Sequence, residues 1–287
     1  MTDSSIDPYV DSVESWRRDV ETRLRAANGW LALAGLFWLH EGQNRIGTDP
    51  HAEVVLPRRG VSEHAGIVEL FDGRAVLRVM GDGKFTVEGA PRREIELRPD
   101  VDDTPTFVEI DDLRMVLIRR STRYGIRVWD NRRAERRTFP GRLWFPVDPA
   151  WRIRAAYSPY QPPRTLPVPS ILGDEDAEVN PGRVSFSMGG SDHTLEALEG
   201  DDGGLFLVFA DDTNRDLTYP AGRFLKTDRP GNDGVILDFN RAYNPPCAFT
   251  PFATCPLPPH DNRLTLRIEA GELRPDFHPE PHSSRGD

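Results

Sequence analysis

From Val10 onward the chain places apolar residues at helical spacing: Val10, Val13, Trp16, Val20 and Leu24. Steps of three and four residues gather them on one face of a helix. Asp7 stands where an N-cap belongs, Pro8 suits the first turn, and Asn28-Gly29 supplies a stop. The stripe predicts a helix that packs against the body of the protein as a clamp over a sheet.

Beyond this helix the period shortens to that of strands. Short runs rich in β-branched and aromatic residues are Glu53–Leu56, Ile67–Phe71, Ala75–Val79, Glu94–Leu97, Arg114–Ile118 and Gly125–Trp129. Later runs are Trp151–Tyr157, Val184–Met188, Leu205–Phe209, Val235–Phe239 and Leu264–Ile268. Asp72-Gly73, Asp82-Gly83 and Asn232-Asp233-Gly234 mark turns between them. Helices do not alternate with strands, so a doubly wound sheet is not expected. The pattern predicts a mainly β protein: an N-terminal amphipathic helix, a β-sandwich, then a second antiparallel sandwich or barrel. The expected limits are 1–40 for the helix and its lead-in, 41–140 for the sandwich, 141–273 for the second β unit and 274–287 for a disordered tail. The seam falls near Phe139–Asp148, where prolines and Gly141 interrupt the strands. His278 and His282 lie in the tail, whose composition reads as frayed chain.

Composition narrows the partners. The 287 residues carry a net charge of −10, and the pI is near 5.3. Phosphate-rich duplexes and anionic membranes require basic surfaces, so neither nucleic acid nor membrane is expected as a partner. A protein partner is left open. Two cysteines, Cys247 and Cys255, are too few for a secreted disulfide scaffold and point to the cytoplasm. The longest apolar stretch, Trp30–Leu39, is about half of a membrane span. The acidic residues Glu14, Asp19 and Glu21 precede it, which a signal peptide would not carry.

Two constellations carry candidate chemistry. The first is Asn44-Arg45-Ile46-Gly47, then Val54-Val55-Leu56, then Ser62-Glu63-His64-Ala65. This order resembles a forkhead-associated sandwich, a fold that reads phosphothreonine through loops at one end. The resemblance assigns Arg45 and Ser62 to phosphate and His64 to loop packing. Glu63 stands where that family usually has a second arginine, and its charge would repel a phosphate.

The second runs from Phe209-Ala210-Asp211-Asp212-Thr213 through Thr218–Leu225 to Leu237-Asp238-Phe239-Asn240-Arg241-Ala242-Tyr243-Asn244-Pro245-Pro246-Cys247. A connection of more than twenty residues follows Phe239. Loops of that length inside a compact domain are usually functional or disordered, and six prolines with Phe249, Phe252 and Leu257 favour order here. Alternation places Asp238 and Asn240 on one strand face. One reading is a small-molecule pocket: Arg223 and Arg241 clamp an anion, Asp238 is the candidate base, and Tyr219, Asn240 and Asn244 orient the ligand. The other reading is structural, with the same side chains satisfying turn backbones. Whether the chain is an enzyme stays open. Hydrolysis or another acid–base reaction fits better than redox chemistry, because no cofactor motif occurs. No metal site is expected, since the cysteine spacing with His260 matches no zinc pattern. The cysteines read as buried and structural.

The same segment, with Trp16-Arg17, Gly29-Trp30-Leu31 and Asn44-Arg45-Ile46-Gly47 in front, resembles the bacterial and archaeal "domain of unknown function 1684" family from about Trp16 to Glu272. That resemblance implies membership and offers no catalytic residue to carry over.

Overall fold

The computed structural model describes residues 7–57 and 60–277. Two compact units emerge, one of residues 24–139 (the sandwich unit) and one of residues 7–23 with 140–277 (the C-terminal unit). The helix forms as its apolar period requires, α1 (Pro8–Arg25), and the Asp7 carboxylate accepts from the Tyr9 amide at 2.9 Å. Its stripe is buried at Val13, Val20 and Leu24, and Arg17 is buried beside it.

The sandwich unit contains β1 (Leu33–Trp38), β2 (Gly42–Gly47), β3 (Val54–Val55), β4 (Gly66–Phe71), β5 (Arg74–Val79), β6 (Thr86–Val87), β7 (Ala90–Pro91), β8 (Glu94–Leu97), β9 (Phe107–Ile110), β10 (Leu113–Arg120) and β11 (Arg123–Asp130), followed by a short helix, α2 (Glu135–Thr138). They form sheets ordered β3-β2-β4-β5-β8 and β1-β11-β10-β9-β6-β7. All pairs are antiparallel except β2 with β3. Alternate residues of the two sheets meet in one core: Val68, Leu70, Leu77 and Ile95 from one, Val108, Met115, Leu117 and Ile126 from the other. Each such buried side chain contributes about 1.5–3 kcal/mol. Asp72 and Gly73 turn β4 into β5 at φ 50° and 77°, the positive pair that a two-residue hairpin demands.

The C-terminal unit contains β12 (Arg152–Pro169), β13 (Glu175–Met188), β14 (Ser191–Glu199), β15 (Leu205–Phe209), β16 (Arg223–Lys226) and β17 (Val235–Asp238), in one antiparallel sheet ordered β16-β15-β14-β13-β12-β17. Val184, Leu195, Leu207, Phe209, Leu225, Leu237 and Phe239 build its core. The run 264–268 is not a strand. Leu264 and Ile268 are buried as alternation predicts, but the backbone bonds to the turn after β15 instead of a ladder. There the Leu264 amide reaches the Ala210 carbonyl at 2.8 Å, and the Ile268 amide reaches the Asp211 carboxylate at 2.9 Å.

The long connection after β17 is ordered by single-turn helices at Phe239–Arg241, Pro246–Ala248 and His260–Asn262. Asn262, 1% exposed, fastens its far end through bonds to both backbone groups of Glu196 and to the Val208 carbonyl. Of the expected tail, 274–277 are described, and the Arg274 amide bonds to the Leu217 carbonyl. His278 and His282 lie outside the described residues. Among the described residues no helix is long and apolar enough to cross a membrane.

Candidate functional site

Strand β17 ends where its last residue turns its side chain on its own backbone. Asp238 Oδ1 accepts from the Asn240 amide at 3.2 Å and so caps the 3-10 turn Phe239–Arg241. Asp238 and Asn240 therefore meet, as expected, but across a capped turn and not along a strand face. The fully buried Asn240 donates to the Tyr9 hydroxyl at 2.9 Å, to the Asp148 carbonyl at 2.8 Å and to Asp238 Oδ1 at 3.3 Å. Its own Oδ1 accepts from the Asp148 amide at 3.0 Å. Tyr9 completes the ring by donating to Asp238 Oδ1 at 2.8 Å.

Arg241 flanks this ring. Its Nε lies 3.4 Å from Asp238 Oδ2, its Nη2 donates to the Ser12 hydroxyl at 3.1 Å, and its side chain is 35% exposed against 13% for Asp238. Arg152, register partner of Asp238, sits over the Tyr9 ring at 5.7 Å. Arg17, bound to Glu14 at 2.9 Å, stands 4.8 Å from the Trp144 ring. Of these guanidinium groups only that of Arg241 faces the Asp238 carboxylate directly. Burial and the adjacent Asp238 charge push the Tyr9 phenol well above its ordinary value, so it remains a donor at neutral pH.

The remaining predicted residues have other partners. Arg223 and Asp211 form an ion pair at 2.8 Å with both side chains fully buried. Arg223 also donates to the Ala270 and Ile268 carbonyls, and Asp211 accepts from the Thr213 hydroxyl at 2.6 Å. The expected clamp of Arg223 with Arg241 is therefore not formed: the Arg223 guanidinium is committed to a sealed interior. Tyr219 donates to the Cys247 carbonyl at 3.0 Å. Asn244 is buried, its amide on Glu272 Oε2 at 2.7 Å and its Nδ2 on the Leu273 carbonyl at 2.7 Å.

Glu272, Arg142, Tyr9 and Arg17 were not among the candidate site residues. Glu272 is fully buried against Arg142 at 2.6 Å, and burial pushes its carboxyl up to about 7. Gly271 beside it has φ +81°, and a Cβ there would stand 2.6 Å from the Ala242 carbonyl, so only glycine lets this segment pass. A proline-flanked aromatic at the start of α1 was the one local hint of Tyr9. Glu272 had none, because its partner lies 130 residues away.

In the sandwich unit Arg45 grips Glu53 with two nitrogens, each at 3.0 Å, and also bonds to the His51 carbonyl. This pairing holds the Glu53 carboxyl down at about 2. Thr48, not Arg45, lies beside Ser62, its amide on the Ser62 carbonyl at 3.1 Å. The His64 side chain is 70% exposed, 4.0 Å from Asp49, and so does not pack the loop as its resemblance implied. A cleft of about 740 Å³ opens elsewhere in this unit, lined by Arg92, Glu94, Arg98, Phe107 and Arg114 among others, and by none of the candidate residues. Among the described residues, no three His, Cys, Asp or Glu side chains converge as metal ligands.

Fold and site together define a mainly β protein whose N-terminal helix is tied by Tyr9 to an Asp-Phe-Asn-Arg turn. Residues 137–273 match the model of the family described as "Protein of unknown function (DUF1684)". An uncharacterised protein of Haloarcula marismortui, solved by NMR, is 32% identical over 48% of this chain and 79% of its own, with a TM-score of 0.41. An FHA domain studied for phosphothreonine-dependent interactions is 22% identical, covering 33% of this chain and 92% of its own at a TM-score of 0.23. The FhaA FHA domain, also 22% identical, covers 32% and 96% at the same score. No curated protein matches the chain.

Proposed function

We propose that this chain binds a small anionic molecule at the corner formed by Tyr9, Asp238, Asn240 and Arg241. The observation that carries the reading is the pairing of a part-exposed Arg241 with an Asp238 whose other oxygen is already saturated. Asp238 Oδ1 takes three donors, from Tyr9 and Asn240, while Oδ2 faces Arg241. An anion would draw on Arg241 and Arg152, and Asp238 Oδ2 is the group able to accept a proton from a bound acid or water. Tyr9 and Asn240 are positioning residues. Tyr219 and Asn244 hold the loop that follows the corner, while Arg223 holds Asp211 and the Ile268 and Ala270 carbonyls. The setting is a cytoplasmic one, in which the resting state of both cysteines is the free thiol.

The test is a thermal-shift screen of the protein against small carboxylates and phosphates, with Arg241→Ala and Asp238→Asn alongside. A ligand at about 100 times its Kd stabilises by about 2.7 kcal/mol, a rise of roughly 5–10 °C for a chain of this size. The shift should vanish in Arg241→Ala while that variant melts near wild type without ligand. A shift that survives in Arg241→Ala would defeat the reading. A shift with phosphothreonine peptide that disappears in Arg45→Ala would move the function to the sandwich unit.

A further inference from the structure

The chain has two cysteines, and the fold brings them together across the loop that follows β17. The Cys247 amide donates to Cys255 Sγ at 3.2 Å, which sets the second sulfur against the backbone of the first. Each is held by backbone on its own side. The turn Pro246–Ala248 fixes Cys247, and the Ile171 amide holds the Cys255 carbonyl at 3.0 Å. Their settings differ: Cys247 is partly exposed, whereas Cys255 is 4% exposed. The neighbouring Cys255 thiol pulls the Cys247 thiol below its ordinary value although burial opposes it. Tyr219 remains protonated, because burial and the two sulfurs raise its own ionisation. His260 takes no part, with its ring 98% exposed and turned to Asp261.

We propose that Cys247 and Cys255 are a modification site for hydroperoxides, Cys247 being the attacking thiol and Cys255 the resolving one. The Cys247 thiolate attacks one peroxide oxygen, the O–O bond breaks, and the other oxygen leaves as water or alcohol after taking up the thiol proton. The resulting sulfenic acid is attacked by Cys255 sulfur, the S–OH bond breaks, and water leaves with the Cys255 proton. Two thiols lose two electrons, the peroxide gains them, and the disulfide closes the loop between β17 and the His260 turn. A dithiol reductant reverses it.

The experiment treats the reduced full-length protein with one equivalent of hydrogen peroxide and follows intact mass. Wild type should lose two hydrogen atoms, reversibly with dithiothreitol. Cys255→Ser should instead accumulate a sulfenic acid on Cys247 that dimedone captures, and Cys247→Ser should give neither product. Disulfide formation should run at least about tenfold faster in the folded protein than in urea, since thiolate character and alignment both come from the fold. Equal rates in the two states would overturn the proposal. So would a dimedone adduct on Cys255 in Cys247→Ser, or peroxide leaving the folded dithiol unchanged.

Discussion

Replacing Arg223 by methionine tests the most buried electrostatic contact in the C-terminal unit. Methionine keeps the unbranched stem and removes the guanidinium, so packing is nearly conserved while Asp211 loses its countercharge. Asp211 then stays at zero side-chain exposure with the Ile268 amide and the Thr213 hydroxyl as donors, and the Ala270 and Ile268 carbonyls each lose a donor. Breaking a buried pair from one side costs about 3–5 kcal/mol. That is a large part of the 5–15 kcal/mol typical of a folded domain. Urea unfolding followed by tryptophan fluorescence should therefore show a midpoint lowered by about 1–2 M at an unchanged slope. Adding Asp211→Asn should recover part of the loss and not all, because the Ile268 amide keeps an acceptor but the buried carbonyls stay unpaired. A loss below about 1 kcal/mol for Arg223→Met would refute the reasoning, since a sealed carboxylate cannot be left alone so cheaply. A ligand shift lost in Arg223→Met and kept in Arg241→Ala, both folded, would restore Arg223 to the anion site.

Two further outcomes follow from the same geometry. Glu272 takes up a proton in the folded state near pH 7 but near its ordinary value of 4.5 when unfolded. Between those limits the native state binds more protons, so this group makes stability rise as pH falls, by about 3 kcal/mol across the window. Glu272→Gln should remove that slope between pH 7 and 4.5 in paired melting curves, and an unchanged slope would assign it to other groups. Tyr9→Phe deletes the donor on Asp238 Oδ1 and the acceptor of Asn240, and should cost about 1–2 kcal/mol in urea titrations. No measurable loss would mean that α1 is held by its apolar stripe alone.

Much of the local structure was legible along the chain. Helix α1 follows from its apolar period and the Asp7 cap, and the β4–β5 hairpin follows from Asp72-Gly73 between alternating residues. These features depend on covalent geometry and neighbours within a few residues, so a short window contains their cause. Strand β2 was not read from its pattern. One of its inward residues, Asn44, is polar and lies buried with bonds to the His40 and Val68 carbonyls. The run 264–268 shows the converse: its side chains alternate correctly, while its backbone finds a partner in the turn after β15.

The site divides the same way. Asp238, Asn240 and Arg241 were found together because they lie within four consecutive residues of one capped turn. Tertiary structure alone decided that Arg223 belongs with Asp211 inside the unit, that Tyr9 reaches Asp238 across 229 positions, and that Glu272 is sealed against Arg142. A guanidinium on a pocket wall and one inside a core have the same sequence neighbours. What separates them is which distant groups exclude water around the charge, and packing alone sets that.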